Sequence, residues 1–138
     1  MRRILLIASI IICSAVFVRA QDAPYRVVFD LTSRDTLNQR AVMRWVKEVT
    51  ESNPHAQVEV VMYGKGFELV MPDRSGYIDQ VQKALMNSNV SFKVCEVALR
   101  SNNVQKSEIL KNVGTVPDGI YEIVKKQHEG WAYIKVAW

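Results

Sequence analysis

The stretch Val90-Ser91-Phe92-Lys93-Val94-Cys95-Glu96-Val97-Ala98-Leu99-Arg100 decides the fold. Val90 to Cys95 reads as a strand, and Glu96 to Arg100 reads as the opening of a helix. A strand that runs straight into a helix is the building unit of an α/β domain. Cys95 stands at the junction. A thiol there is either a buried spacer, since free cysteine is among the most buried residue types, or a reactive centre.

Working outward, the same alternation recurs. Tyr25 to Leu31 is a first strand rich in Val and Phe. Thr32-Ser33-Arg34-Asp35 supplies helix caps. Leu37, Ala41, Val42, Trp45, Val46 and Val49 then recur at helical spacing, with Arg40, Arg44, Lys47 and Glu48 opposite, so Thr36 to Glu51 is an amphipathic helix. Asn53-Pro54 ends it. Gln57 to Tyr63 is nearly continuous in apolar residues, as in a strand buried on both faces. Gly64-Lys65-Gly66 breaks the pattern, and Phe67 to Met71 is a short apolar segment of open type.

Pro72 to Gly76 reads as a loop, and Tyr77, Ile78, Val81, Ala84 and Leu85 mark a second helix. After Cys95 and its helix, Ser101 to Ser107 is polar loop and Ile109-Leu110 a short hydrophobic stop. Asn112 to Val116 is a fourth strand, and Pro117 is expected in the first turn of the next helix. Ile120, Ile123 and Val124 give that helix an inner face, Gly130 ends it, and Trp131 to Val136 is the last strand. Five strands alternating with about four helices predict one three-layer α/β domain with a mostly parallel five-stranded sheet. Ligands of such sheets bind beyond the carboxyl ends of the strands, here Thr32, Gly64, Cys95 and Pro117.

The amino terminus bears on compartment. Arg2 and Arg3 precede an apolar run from Ile4 to Val18, and Val18-Arg19-Ala20 offers a small-residue cleavage site. This is the pattern of a secretory signal peptide over residues 1–20, leaving residues 21–138 as the mature domain; the run is short for a membrane span, and an uncleaved anchor is the alternative. Cys13 lies inside the apolar run, after three isoleucines, and lacks the small residue that normally precedes a lipidated cysteine. The formal charge of +4 comes from 18 Lys and Arg against 14 Asp and Glu; without Arg2, Arg3 and Arg19 it is 15 against 14, about +1. The basicity therefore belongs to the leader and does not mark a nucleic-acid surface. Cleavage also leaves Cys95 as the sole thiol, so no internal disulfide can form. Export predicts a periplasmic protein that needs no membrane once the leader is removed.

A cysteine entering a helix amino terminus feels the positive end of the peptide dipoles, which enriches the thiolate. Lys93, two residues earlier on the strand, shares the face of Cys95 and adds a cation. Glu96 opposes this, although adjacent residues do not face each other.

The segment Phe92 to Arg100 resembles the cysteine motif of the DsrE/DsrF-like family of small sulfur-relay proteins. Val116-Pro117-Asp118-Gly119-Ile120-Tyr121-Glu122-Ile123-Val124 and Gln127 to Lys135 resemble its carboxyl-terminal pattern, and Val60 to Gly66 its glycine turn after the second strand. The resemblance implies a flavodoxin-like, DsrEFH-like fold, often assembled as trimers or hexamers. It implies that Cys95 carries sulfur as a persulfide, exchanged with donor and acceptor proteins or small thiols. The chain departs from the family at Val97, where many relatives have a small polar residue, and at Tyr63, where many have histidine.

Other groups are less suggestive. Gly64-Lys65-Gly66 forms either a plain turn or, with Lys65, an anion cradle. His55 and His128 sit in polar, turn-like surroundings and read as solvated. No spacing suggests a zinc site, and no cofactor is implied. Trp45 reads as core, whereas Trp131, Tyr133 and Trp138 suit a sheet edge or an oligomer contact. Two functions remain open. One is a sulfur carrier or sulfurtransferase using Cys95, with Lys93, Gly64, Lys65 and Gly66 to stabilise an anion. The other is a non-catalytic exported module of the same fold, for small-ligand binding or oligomeric assembly.

Overall fold

The computed structural model describes residues 25–137. The expected leader, Cys13 and Trp138 lie outside them. Five strands and four helices alternate in one α/β domain: β1 (Arg26–Leu31), α1 (Thr36–Ser52), β2 (Gln57–Met62), α2 (Ile78–Leu85), β3 (Val90–Cys95), α3 (Glu96–Ser101), β4 (Gly114–Val116), α4 (Gly119–His128) and β5 (Ala132–Lys135). The strand order is β4-β3-β2-β1-β5, and every neighbouring pair is parallel. The sheet is thus fully parallel, where the sequence predicts a mostly parallel one.

The order explains the layers. From β1 to β4 the chain steps steadily toward one edge, and right-handed crossovers put α1, α2 and α3 on a single face. From β4 it returns across the sheet to β5, so α4 lies on the other face. The larger core forms under the first three helices, from Val27, Phe29, Leu31, Val58, Val60, Met62, Phe92 and Val94 of the strands with Ala41, Val42, Val46, Val81, Ala98 and Leu99. Trp45 packs at its margin, with its ring centroid 6.0 Å from that of Phe29. A much smaller apolar cluster, Val28, Val61 and Ile123, holds α4.

Local chemistry sets the boundaries. The Asp35 carboxylate accepts the Leu37 N–H at 2.7 Å and starts α1, and the Asn53 amide closes it on the Val49 carbonyl. Phe67, Leu69 and Val70 belong to a buried 3₁₀ turn (Gly66–Val70), which resolves the open assignment of that segment. Pro117 stands before α4 and not in its first turn: Asp118 is the N-cap, accepting the Ile120 and Tyr121 N–H groups at 2.8 and 3.1 Å. β4 has only three residues, shorter than the Asn112–Val116 expected. Gly130, at φ +84, takes the left-handed turn after α4 that lets the Trp131 N–H reach the Lys126 carbonyl.

Candidate functional site

Chain direction at the carboxyl edge places Cys95. The connections leaving β1, β2 and β3 pass to the large-core face, whereas the one leaving β4 passes to the α4 face. Adjacent strands whose connections diverge leave a crevice between them, and in parallel α/β sheets that is where ligands bind. The diverging pair is β3 and β4. Cys95 is the last residue of β3, in register with Val116 of β4.

Two helix amino termini converge on Cys95. It is the N-cap residue of α3, and its side chain makes no capping hydrogen bond. It also packs under the first residue of α4. A Cβ on Gly119 would stand 3.1 Å from the Cys95 Cβ, 3.3 Å from the Tyr63 Cβ and 3.4 Å from Val61 Cγ1, so only glycine lets the helix sit so close. The Asp118 carboxylate already caps the α4 end, so the amino terminus left without a side-chain cap is that of α3. The residue itself is a free cysteine with 5% of its surface exposed. Val97 of α3 and Ile120 and Tyr121 of the first turn of α4 are all exposed.

The other expected site residues are distributed around this point. Lys93 shares the sheet face of Cys95, but its side chain lies across β4, with Nζ 2.7 Å from where a Cβ on Gly114 would stand. Glu96 is turned to the opposite side and accepts the Thr115 hydroxyl at 3.0 Å, tying α3 to β4. Gly64 and Lys65 are exposed at the end of β2, next to Tyr63. The turn is bound inward. The Lys65 N–H donates to the Thr32 carbonyl at 2.9 Å and the Gly66 N–H to the Tyr63 carbonyl at 2.9 Å. Gly64 is left-handed at φ +58, and a Cβ on Gly66 would overlap the Leu31 carbonyl. Those two amides are therefore already engaged, and what the turn offers an incoming anion is the Lys65 side chain. His55 and His128 are exposed.

One polar group was not anticipated from the sequence. Asp30, 2% exposed near the end of β1, accepts the Tyr133 hydroxyl at 2.7 Å and the Tyr63 hydroxyl at 3.2 Å, both through Oδ2. Lys135 Nζ faces the same oxygen at 3.9 Å, and Oδ1 has no partner. The hydrogen bond to Asp30 pushes the Tyr133 phenol up to about 12 from its ordinary 10.0, because ionising it would set two anions together. Tyr63 is raised as well, first by burial and then by Asp30. A lone acid interrupting the apolar run Val27 to Leu31 was the available signal. A second such acid, Glu59 of β2, lies toward the other end of the same face. Its Oε2 meets Lys126 at 3.4 Å and the Ser91 hydroxyl at 3.1 Å.

Two surface cavities lie elsewhere. One of about 830 Å³ runs between α2 and the Ser107–Asn112 segment, and one of about 680 Å³ between α1 and α2. Neither includes Cys95. Among the described residues, no cluster of His, Cys, Asp or Glu is placed to hold a metal ion.

Comparison with known proteins agrees with this fold. No curated protein matches the chain. Among solved structures it is similar to MTH1491 of Methanobacterium thermoautotrophicum, a protein of unknown function, at 31% identity over 80% of this chain and 98% of that one, with a TM-score of 0.76. The ychN protein of E. coli shares the fold at 11% identity and a TM-score of 0.65, covering 82% of this chain and 99% of its own. BT1422 of Bacteroides thetaiotaomicron does so at 14% and 0.61, covering 80% and 94%. A family model spans residues 26–136, from the first residue of β1 to just past the end of β5, and with it the cysteine at the switch between β3 and β4: the chain belongs to the DsrE/DsrF-like family.

Proposed function

We propose that this protein is an exported sulfur carrier or sulfurtransferase in which Cys95 accepts sulfur as a persulfide. The observation that carries the reading is the position of the thiol: in the switch-point crevice, at the amino termini of α3 and α4. The reaction is thiol exchange. The Cys95 thiolate attacks the outer sulfur of a donor persulfide, the donor's S–S bond breaks, and the donor leaves as a thiolate. The N–H groups at the start of α3, which no side chain caps, favour the charged sulfur before and after the step. Lys93 and Lys65 supply positive charge at the rim, and Gly64 and Gly66 shape the turn beside it. Val97, Ile120 and Tyr121 give a donor or acceptor protein an apolar surface to dock on. Family resemblance supports a homo-oligomer, a trimer or hexamer, and the leader pattern of residues 1–20 supports a periplasmic location.

The burial of Cys95 favours a second reading, a non-catalytic binding or assembly module of the same fold. Thiol access separates the two. Iodoacetamide should alkylate Cys95 in the folded protein, with no label on Cys95→Ser, at a rate unchanged by small amounts of denaturant. A thiol that reacts only as fast as the whole domain unfolds would sink the carrier reading.

A further inference from the structure

Asp30 takes no part in the exchange step, yet it occupies the same face of the sheet as Cys95. It is in register with Val61, and Val61 with Lys93, two residues before Cys95 on the same strand. Tyr63 connects the two places: its Cβ packs beside that of Cys95 under Gly119, and its hydroxyl ends on Asp30. The carboxylate is almost wholly removed from water, one of its oxygens has no partner, and its nearest cation stands at 3.9 Å, outside hydrogen-bond range. A buried carboxylate oxygen left unpaired is costly, and an N–H donor would relieve it. The covers on this side are Tyr133 and Lys135 of the edge strand β5, and the Lys135 side chain is 55% exposed and free to swing away.

We propose that Asp30 is a subsite for the ammonium group of a low-molecular-weight aminothiol that delivers sulfur to Cys95 or removes it; this rests on the sulfur-carrier reading. The ligand ammonium donates to the unpartnered Oδ1 once Lys135 swings away, and the phenols of Tyr63 and Tyr133 hold the carboxylate in position through Oδ2. The spacing suits a small molecule. Two strand separations of about 4.8 Å and two residues of about 3.3 Å rise put the Cα atoms of Asp30 and Cys95 roughly 12 Å apart. A hydrogen bond of about 2.9 Å, a two-carbon aminothiol of about 4 Å and a sulfur approach of about 3.5 Å cover roughly 10 Å, and the two side chains supply the remainder. In delivery, the Cys95 thiolate bonds to the outer sulfur of the aminothiol persulfide. The S–S bond of the persulfide breaks, and the aminothiol departs as its thiolate and takes up a proton from water.

The test uses two symmetrical disulfides of similar size, cystamine with an ammonium at each end and hydroxyethyl disulfide with none. Each exchanges with Cys95, leaving half of itself on the sulfur and releasing the other half as a thiol. Asp30→Asn should slow the cystamine reaction about 10-fold or more, the worth of one charge-assisted hydrogen bond, and leave the hydroxyethyl disulfide rate unchanged. Lys135→Met removes the competing cation and should speed cystamine alone. Equal slowing of both reagents in Asp30→Asn, or no slowing of either, overturns the subsite. If Asp30→Asn fails to fold, a Lys135→Met protein with an unaltered cystamine rate overturns it independently. The carrier reading fails separately: a protein that shows the Asp30-dependent preference yet gains no sulfur from a persulfide donor retains the subsite and loses the relay.

Discussion

At the scale of single residues, three buried groups on one sheet face carry most of the chemistry: Cys95, Asp30 and Glu59. The thiol was legible in the sequence because a strand pattern runs straight into a helix pattern at that point. The acids were not, because what a buried carboxylate meets depends on which strands become neighbours. Tyr133 reaches Asp30 only because β5 returns to lie beside β1. Glu59 offers a pH test. Burial, the largest effect, raises it above its ordinary 4.5 despite the attraction of Lys126. The native state then holds this proton more tightly than the unfolded chain does, so its contribution to stability falls as pH rises from about 4.5 through the raised value. Denaturation midpoints between pH 4 and 7 should show Glu59→Gln gaining steadily on the wild type. A constant difference across that range would contradict it. Lys126 keeps Glu122 at 3.7 Å in the variant, so no lone charge is created.

At the scale of elements, α4 sets the geometry of the site. Asp118 starts it, Gly119 lets it approach Cys95, and Ile123 anchors it on Val28 and Val61. Gly119→Val would place a branched side chain against Cys95, Tyr63 and Val61. Overpacking of this kind costs about 1–3 kcal/mol, and chemical denaturation should show a loss in that range together with a changed alkylation rate at Cys95. A variant with wild-type stability and reactivity would show that the close approach does not matter. The existence and type of the elements were readable from hydrophobic period, and β3 lies where expected. One error is on α4, where of the three residues expected on its inner face only Ile123 is buried while Ile120 and Val124 are exposed; the others fall at chain punctuation. Proline suits the first turn of a helix, which points to Pro117, but Asp118 is the cap and α4 starts at Gly119, two residues on. The inward hydrogen bond of the Lys65 N–H could not be foreseen, since its acceptor, the Thr32 carbonyl, is brought there only when β1 and β2 pair.

At the scale of the whole molecule, strand order does the placing. One reversal, between β4 and β5, creates the crevice at Cys95 and, among the described residues, leaves α4 as the one helix on its face. That face is incompletely covered. Ile120 is 60% and Tyr121 71% exposed on α4, and β5 presents Tyr133 on that face at the sheet edge. The proposed homo-oligomer would bury such groups. Light scattering should give a mass of three or six chains, and Ile120→Glu combined with Val124→Glu should reduce it to one. A wild-type protein that is monomeric at all concentrations would contradict the assembly. The parallel sheet and its layers were legible from alternating patterns, whereas the position of β5 beside β1 was not, because no local signal records which edge a returning strand will join.

The proposed relay depends on Cys95 taking up sulfur. The most direct measurement is the intact mass of the purified mature protein after incubation with a persulfide donor, beside Cys95→Ser treated in the same way. One added sulfur atom per chain is expected in the wild type, removed by reductant, and none in the variant. An unchanged wild-type mass, or an equal gain in Cys95→Ser, would contradict it.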